Sequence, residues 1–180
     1  MTDFSCQDRT GDLCESSRNA IKDVPIFIVG VGALGTAAAN ALVRSGCCNL
    51  TLIDDDIIAH SNIPRQSLFV QSDVGKKKVV VAKQRLQAVN DEAFIKVIDK
   101  RVSDDDVSVL KDASLVLDCT DTLSSRKVID EYCHKENKPW VHAAVIRSSG
   151  EVMAIIPGSK RYVDVIKNKS VDEDCDEEGI

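Results

Sequence analysis

Six polar residues, Asp54, Asn62, Arg65, Gln66, Lys78 and Asp121, follow a glycine-rich stretch, Gly30-Val-Gly32-Ala-Leu-Gly35, in an order suited to handling phosphate. Glycines at that spacing let a backbone come close to phosphate oxygens, and a helix opening beyond them adds N–H donors and partial positive charge. The stretch alone is a weak signal, because it serves any mononucleotide or dinucleotide fold of Rossmann type. The residues after it discriminate. Arg65 and Lys78 bring two cations toward the loop, which phosphoryl or nucleotidyl transfer requires because negative charge builds on the phosphates. Hydride transfer needs neither. Asp54, 24 positions beyond Gly30, stands where an acid accepts hydrogen bonds from ribose hydroxyls, with Asp56 beside it. Asn62 and Gln66 either hold the Arg65 loop or donate to phosphate oxygens. Asp121 fits an N-cap, or an acid that holds Mg²⁺ against the phosphates. Arg65, Lys78 and Asp121 are thus the candidate catalytic residues.

A succession of strands and helices must position them. Pro25–Val29 is a short apolar run of the kind a buried parallel strand needs, Thr36–Arg44 reads as a helix stopped by Gly46, and Asn49–Ile53 completes a βαβ unit ending in Asp54-Asp55-Asp56. Val79, Ala82, Leu86 and Val89 recur at helical spacing. Ala93–Ile98 is a third strand, Asp104–Lys111 a short helix, Leu115–Leu117 a strand, and Ser124–Lys135 a helix. Lys138–Val145 and Glu151–Ile156 read as two strands joined by the turn Arg147–Gly150. The expected architecture is α/β, a Rossmann-like, doubly wound and mainly parallel sheet with a small antiparallel appendage. Residues 1–23 are expected to form a polar lead, 24–170 a nucleotide-binding domain, and 171–180 an acidic tail.

Composition narrows the classes. With 43% hydrophobic and 29% charged residues in 180, one soluble domain with a sizeable core is expected. No basic-then-apolar leader opens the chain, and no apolar run approaches the roughly 18 residues that span a bilayer. A cytoplasmic setting without membrane contact follows. The net charge of −6 resides in the last ten residues, which hold six acids and no base, so the body is neutral. The basic group Lys76, Lys77, Lys78, Lys83 and Arg85 reads as a solvated helix face, and nucleic-acid binding is not indicated. Seven cysteines without any Cys-x-x-Cys give neither a disulfide framework nor a zinc ribbon. His60, His134 and His142 show no ligand spacing and read as structural, while Trp140 and Cys119 read as core residues.

Five segments stand in register: Gly30–Gly35, Leu52–Asp56, Ser61–Gln66, Gly75–Lys78, and Asp118–Asp121 with Arg126. Over about residues 24 to 157 the chain resembles the ThiF/MoeB/HesA family, relatives of ubiquitin-activating enzymes. The resemblance implies an adenylyltransferase that uses ATP and Mg²⁺ to activate the C-terminal glycine carboxylate of a ubiquitin-like or sulfur-carrier protein, releasing pyrophosphate. It sets Gly30, Gly32 and Gly35 toward the phosphates, Asp54 on the ribose, Asn62, Arg65 and Lys78 on the triphosphate and Asp121 on magnesium. Arg126 fills the family's arginine place in the following helix. A homodimer or heteromer is implied.

Departures accompany the matches. The family's Arg-Tyr-x-Arg-Gln-like segment upstream of the first strand has no counterpart, since Arg9 and Arg18 stand in other contexts. Thr122 stands where asparagine is common. The paired Cys-x-x-Cys motifs of a structural zinc are missing, so no zinc is expected. The chain also ends short of the family's usual length, which would suit a sequence cut short. Three other readings stay open: activation of a small carboxylate on tRNA or a peptide, a non-catalytic subunit of a heteromeric activating complex, and an NAD-dependent oxidoreductase.

Overall fold

The computed structural model describes residues 15–166. Strand β1 (Ile26–Val29) leads through helix α2 (Ala33–Arg44) to β2 (Asn49–Ile53), and α3 (Lys78–Val89) crosses to β3 (Phe94–Ile98). The chain then returns to β4 (Leu115–Asp118), passes through α4 (Leu123–Lys135) to β5 (Trp140–Ile146), and turns back along β6 (Ser149–Ile155). Helix α1 (Glu15–Lys22) precedes this body and α5 (Tyr162–Ile166) follows it. The six strands lie in the order β3-β2-β1-β4-β5-β6, all parallel except the β5–β6 pair. The expected doubly wound sheet with an antiparallel edge is therefore observed.

Strand alternation divides the core. Ile26, Ile28, Leu50 and Leu52 face α2 and α3, meeting Ala39, Val43, Val79, Ala82 and Leu86. Phe27, Val29, Ile53 and Val116 face the other way, toward Ile129 and Cys133 of α4, Trp140, and Tyr162 of α5. All four residues of β1 are buried, as a central parallel strand covered on both faces requires. Because β2 and β4 flank β1 on opposite sides, the chain reverses its winding between β1 and β4. The carboxyl ends of these two strands therefore open a crevice, the place where open α/β sheets bind ligands.

Four local readings needed correction. The lead contains α1, which its polar composition concealed: only its Ile21 packs on the core, while Lys22 pairs with Glu92 at 2.9 Å. The short helix expected from Asp104 is a single 3-10 turn, Val107–Leu110. The hairpin turn is tighter than Arg147–Gly150, since Ile146 already pairs with Ser149. Arg147 manages it with a left-handed φ of 52°, which glycine or asparagine would ordinarily supply. Lys78 does not belong to a solvated face, for its side chain is 7% exposed. The acidic tail, the first 14 residues and Arg9 lie outside the described residues. Among those described, no helix is long and apolar enough to cross a membrane.

Candidate nucleotide site

The loops beyond β1, β2, β3 and β4 enclose a cleft of about 410 Å³, within the range of small-molecule sites. Gly30, Gly32, Asp54, Asp56, Asn62, Arg65, Gln66, Lys78, Asp121 and Arg126 all line it. Of the residues singled out from the sequence, Gly35 alone stands behind the wall.

The three glycines are present for different reasons. Gly30 has φ 88°, and a Cβ there would come within 2.6 Å of the Cys119 carbonyl oxygen. That contact is where β1 and β4 join, with Cys119 N–H donating to Val29 O at 2.8 Å. A Cβ on Gly35 would collide with the Gly30 carbonyl oxygen, so close packing of α2 on the loop demands glycine. Gly32 has no such constraint: its nearest neighbour would be Gln66 Nε2 at 3.8 Å. Its missing side chain leaves room in the cleft. Gly32 is also the N-cap of α2, and no side chain caps that helix, so its first-turn N–H groups open toward an incoming anion.

Asp54 ties the end of β2 to the glycine loop. One carboxylate oxygen accepts the Val31 N–H at 2.6 Å and the other accepts the Asp56 N–H at 2.8 Å. Burial pushes its carboxyl above the usual range, against the opposing pull of Lys78 and these two bonds. Each oxygen retains a second lone pair, so a ribose hydroxyl can still be accepted. Lys78, at the start of α3, places Nζ 2.6 Å from Asp56 Oδ2. A buried ammonium in a helix's first turn opposes the helix dipole, and Asp56 offsets that cost. Asp54, Asp55 and Asp56 bring carboxylate oxygens within 4.8 Å of one another. Lys78, Arg101 at 3.6 Å from Asp55, and backbone N–H groups already answer their charge.

The Arg65 loop is held by its own amides. Asn62 Oδ1 accepts the Ala59 N–H at 3.0 Å, and its carbonyl accepts the N–H groups of Arg65 and Gln66. Arg65 is exposed and donates to Ser61 O at 2.7 Å. Gln66 is 2% exposed, and its Oε1 is buried without a partner.

Across the cleft the Asp121 alternative resolves. Thr122 is the N-cap of α4, its hydroxyl accepting the Ser125 N–H, so Asp121 does not cap the helix. Among the described residues, the Asp121 carboxylate takes part in no hydrogen bond or ion pair and is exposed to the cleft. A free hard-oxygen ligand beside a phosphate-sized space fits Mg²⁺, which binds through one or two carboxylates plus phosphate oxygens and water. Arg126 is 4% exposed, donates from Nη2 to Thr120 O at 3.0 Å and lies near the Tyr162 hydroxyl, leaving Nε buried without a partner.

Sequence reasoning missed two groups. Lys100 and Arg101, just beyond β3, also line the cleft, and a basic pair at a parallel strand's carboxyl end was the available signal. His142 is fully buried between Asp118 and Glu151. Its place among inward-facing Trp140 and Ala144 on β5 was the only hint.

An open parallel sheet with a glycine turn, a strand-end acid and cations at its switch point defines a mononucleotide- or dinucleotide-binding protein of Rossmann type. The ThiF family model matches residues 6–180, and the chain belongs to that family. It is 30% identical over 159 residues to the sulfur carrier protein ThiS adenylyltransferase of Bacillus subtilis, covering 87% of this chain and 47% of the relative. It is 38% identical over 136 residues to the molybdopterin-synthase adenylyltransferase of Salmonella typhimurium, covering 75% and 55%. Among solved structures, Escherichia coli MccB with ATP superposes with a TM-score of 0.79 at 25% identity, over 89% of this chain and 48% of that one. Escherichia coli tRNA N6-threonylcarbamoyladenosine dehydratase with AMP gives 0.73 at 30%, over 77% and 57%. The chain spans about half the length of the relatives it matches.

Proposed function

We propose that this chain uses ATP to adenylylate the C-terminal carboxylate of a ubiquitin-like or sulfur-carrier protein, releasing pyrophosphate. The observation that carries the reading is the arrangement around Gly32: a cap-free helix start, Lys78 and Arg65 as cations, and Asp121 unpaired across the cleft. The carrier's carboxylate oxygen forms a bond to the α-phosphorus of ATP while the bond from that phosphorus to the β-phosphate bridging oxygen breaks, and pyrophosphate leaves with the electron pair. Asp54 holds the ribose, and Asn62 and Gln66 shape the loop that presents Arg65. Lys78, released from or shared with Asp56, and Arg65 offset the repulsion between two anions, so the enzyme's contribution is positioning and charge. Asp121 would hold Mg²⁺, which supplies further neutralisation of the phosphates. No side-chain nucleophile enters.

The named relatives support an adenylyltransferase acting on a sulfur carrier, and the ATP complex of MccB supports the nucleotide. We further propose a homodimer or heteromer working in the cytoplasm, with no structural zinc in this stretch of chain, which has no Cys-x-x-Cys. The similarity to a tRNA-modifying dehydratase favours one second reading, activation of a carboxylate on tRNA or a peptide. Carrier-dependent exchange of labelled pyrophosphate into ATP tests the choice. Exchange that requires a carrier with an intact terminal glycine is expected, and exchange driven by tRNA or peptide alone selects the second reading.

A further inference from the structure

Behind the cleft, β4, β5 and β6 bring Asp118, His142 and Glu151 into a line. The side chains of Asp118 and His142 are wholly enclosed, and that of Glu151 is 31% exposed. The ring's Nδ1 lies 2.7 Å from Asp118 Oδ2 and its Nε2 lies 3.2 Å from Glu151 Oε1. A ring nitrogen facing a carboxyl oxygen makes a hydrogen bond when either atom carries the hydrogen, and where both carboxyls are ionised both nitrogens must carry one. Tyr162 of α5, its ring centroid 4.6 Å away, and Trp140, at 6.2 Å, pack against the ring, and the Arg126 guanidinium of α4 lies near the Tyr162 hydroxyl.

Asp118 turns its remaining oxygen to the loop. Oδ1 accepts the Thr120 N–H at 3.0 Å and the Thr120 hydroxyl at 2.6 Å, while Arg126 holds the carbonyl of the same residue. Thr120 immediately precedes Asp121. The conformation of the turn that presents Asp121 thus depends on where Asp118 points, and the imidazole fixes that. An apolar side chain would fill the interior position of His142 without the desolvation cost of burying ionisable groups.

We propose that His142 is a positioning residue. With a hydrogen on each ring nitrogen it locks Asp118, fixes the Thr120 turn and so places Asp121 in the cleft, and Glu151 on the edge strand is the outer anchor of the lock. Its kinetic consequence rests on the ATP-activating reading; its structural consequence does not.

The test has two arms on the full chain. Nitrogen-15 spectra of labelled histidine should show a hydrogen on both His142 ring nitrogens, and Glu151→Gln, on a partly exposed edge strand, should leave Nε2 bare while Nδ1 keeps its hydrogen and the Thr120 amide shifts. A bare ring nitrogen in the unsubstituted protein overturns the proposal. In the second arm, His142→Asn keeps a donor toward Asp118, whereas His142→Gln places its donor toward Glu151. His142→Gln should lower kcat of pyrophosphate exchange about tenfold with KM for ATP within about twofold, and His142→Asn should recover most of that loss. Equal losses in both, or a change confined to thermal stability, overturn it. An unsubstituted protein without exchange would count against the functional reading, and the spectra would still decide the lock.

Discussion

The two walls of the cleft are built on opposite principles. On the β1–β2 wall the functional side chains stand on loops or at a helix start, and each ion pair keeps one member half-exposed, Asp56 against Lys78 and Lys76 against Asp73 at 3.0 Å. On the β4–β6 wall the polar groups are largely enclosed and tie one element to another: Asp118 with His142, Arg126 with Thr120, Asp130 with Arg161 and the Tyr162 N–H. A charge whose partner is already hydrated can be removed at little cost in stability, whereas one whose partners are enclosed cannot. Substitutions on the first wall should therefore move rates, and those on the second should move stability as well.

The largest rate effect is expected at Lys78. Its removal deprives the phosphates of a preplaced cation, typically worth on the order of 3 kcal/mol or about a hundredfold in rate. The Asp56 it leaves behind is 52% exposed and can be hydrated, so melting should change little. Lys78→Ala is thus expected to lose about a hundredfold in exchange with a near-native melting curve; a collapsed melting temperature would break the contrast between the walls. Asp130→Ala is the counterpart. Its carboxylate is 1% exposed and accepts Arg161 at 2.8 Å and the Tyr162 N–H at 3.1 Å, so its loss should cost about 3 kcal/mol in denaturant unfolding. Nucleotide affinity, measured by calorimetry, should stay within about threefold.

Two glycines sharpen the comparison within one loop. Gly30→Ala would drive a methyl against the Cys119 carbonyl at a left-handed φ, and about 2 kcal/mol of lost stability is expected. Gly32→Ala makes only an ordinary contact with Gln66 Nε2 at 3.8 Å, so the fold should persist while ATP affinity drops about tenfold. Equal effects of the two on melting would mean that Gly32 serves the fold rather than the ligand.

These contrasts explain what could be read from sequence. The β1–β2 wall was readable because its glycine spacing, its strand-end acid and the Arg65 and Lys78 segments lie within 49 consecutive positions, from Gly30 to Lys78, each beside its own turn signal. Sheet class and most strands followed from apolar runs bounded by glycine and aspartate. The hairpin turn did not, because Arg147 occupies a left-handed position that composition does not flag. Helix α1 did not, because one isoleucine anchors it. His142 read as an ordinary interior residue because its partners come from positions 24 residues before it and nine after, contacts that only the folded sheet creates. Asp121 was half readable: its place after β4 was evident, but that Thr122 takes the cap was visible only in the hydrogen bonds.

A moderate pH effect tests the first wall. Burial raises the Asp54 carboxyl above its unfolded value. A group shifted in that direction contributes stability that is full below the unfolded value and is lost as pH rises through the folded one. Asp73 is shifted the opposite way: although burial alone would raise it, the bonds from Lys76, the Val70 N–H and Arg85 together hold it below the usual range. Its contribution is present above the unfolded value and fades as pH falls through the folded one. Replacing Asp54 by asparagine should therefore remove a loss of stability on the alkaline side of the carboxylate range, and replacing Asp73 by asparagine should remove a loss on the acid side. Unfolding measured across that range with both variants checks the two signs, and parallel curves would contradict the assigned shifts.

The smallest expected effect is at Cys119, which stands between the walls. Its thiol borders the cleft, a position from which a covalent intermediate would be tempting to infer. Burial, with a smaller contribution from Asp118, pushes that thiol up to about 12, so at neutral pH it carries its hydrogen and is a poor nucleophile. Adenylylation as written above needs no thiolate. Cys119→Ser introduces a hydroxyl of similar size, and pyrophosphate exchange should change by less than about twofold. Alkylation of the unsubstituted protein by iodoacetamide at neutral pH should label Cys119 far more slowly after native incubation than after unfolding, as read by peptide mass spectrometry. Rapid native labelling, or a tenfold loss in the serine variant, would move Cys119 from the floor of the cleft into its chemistry.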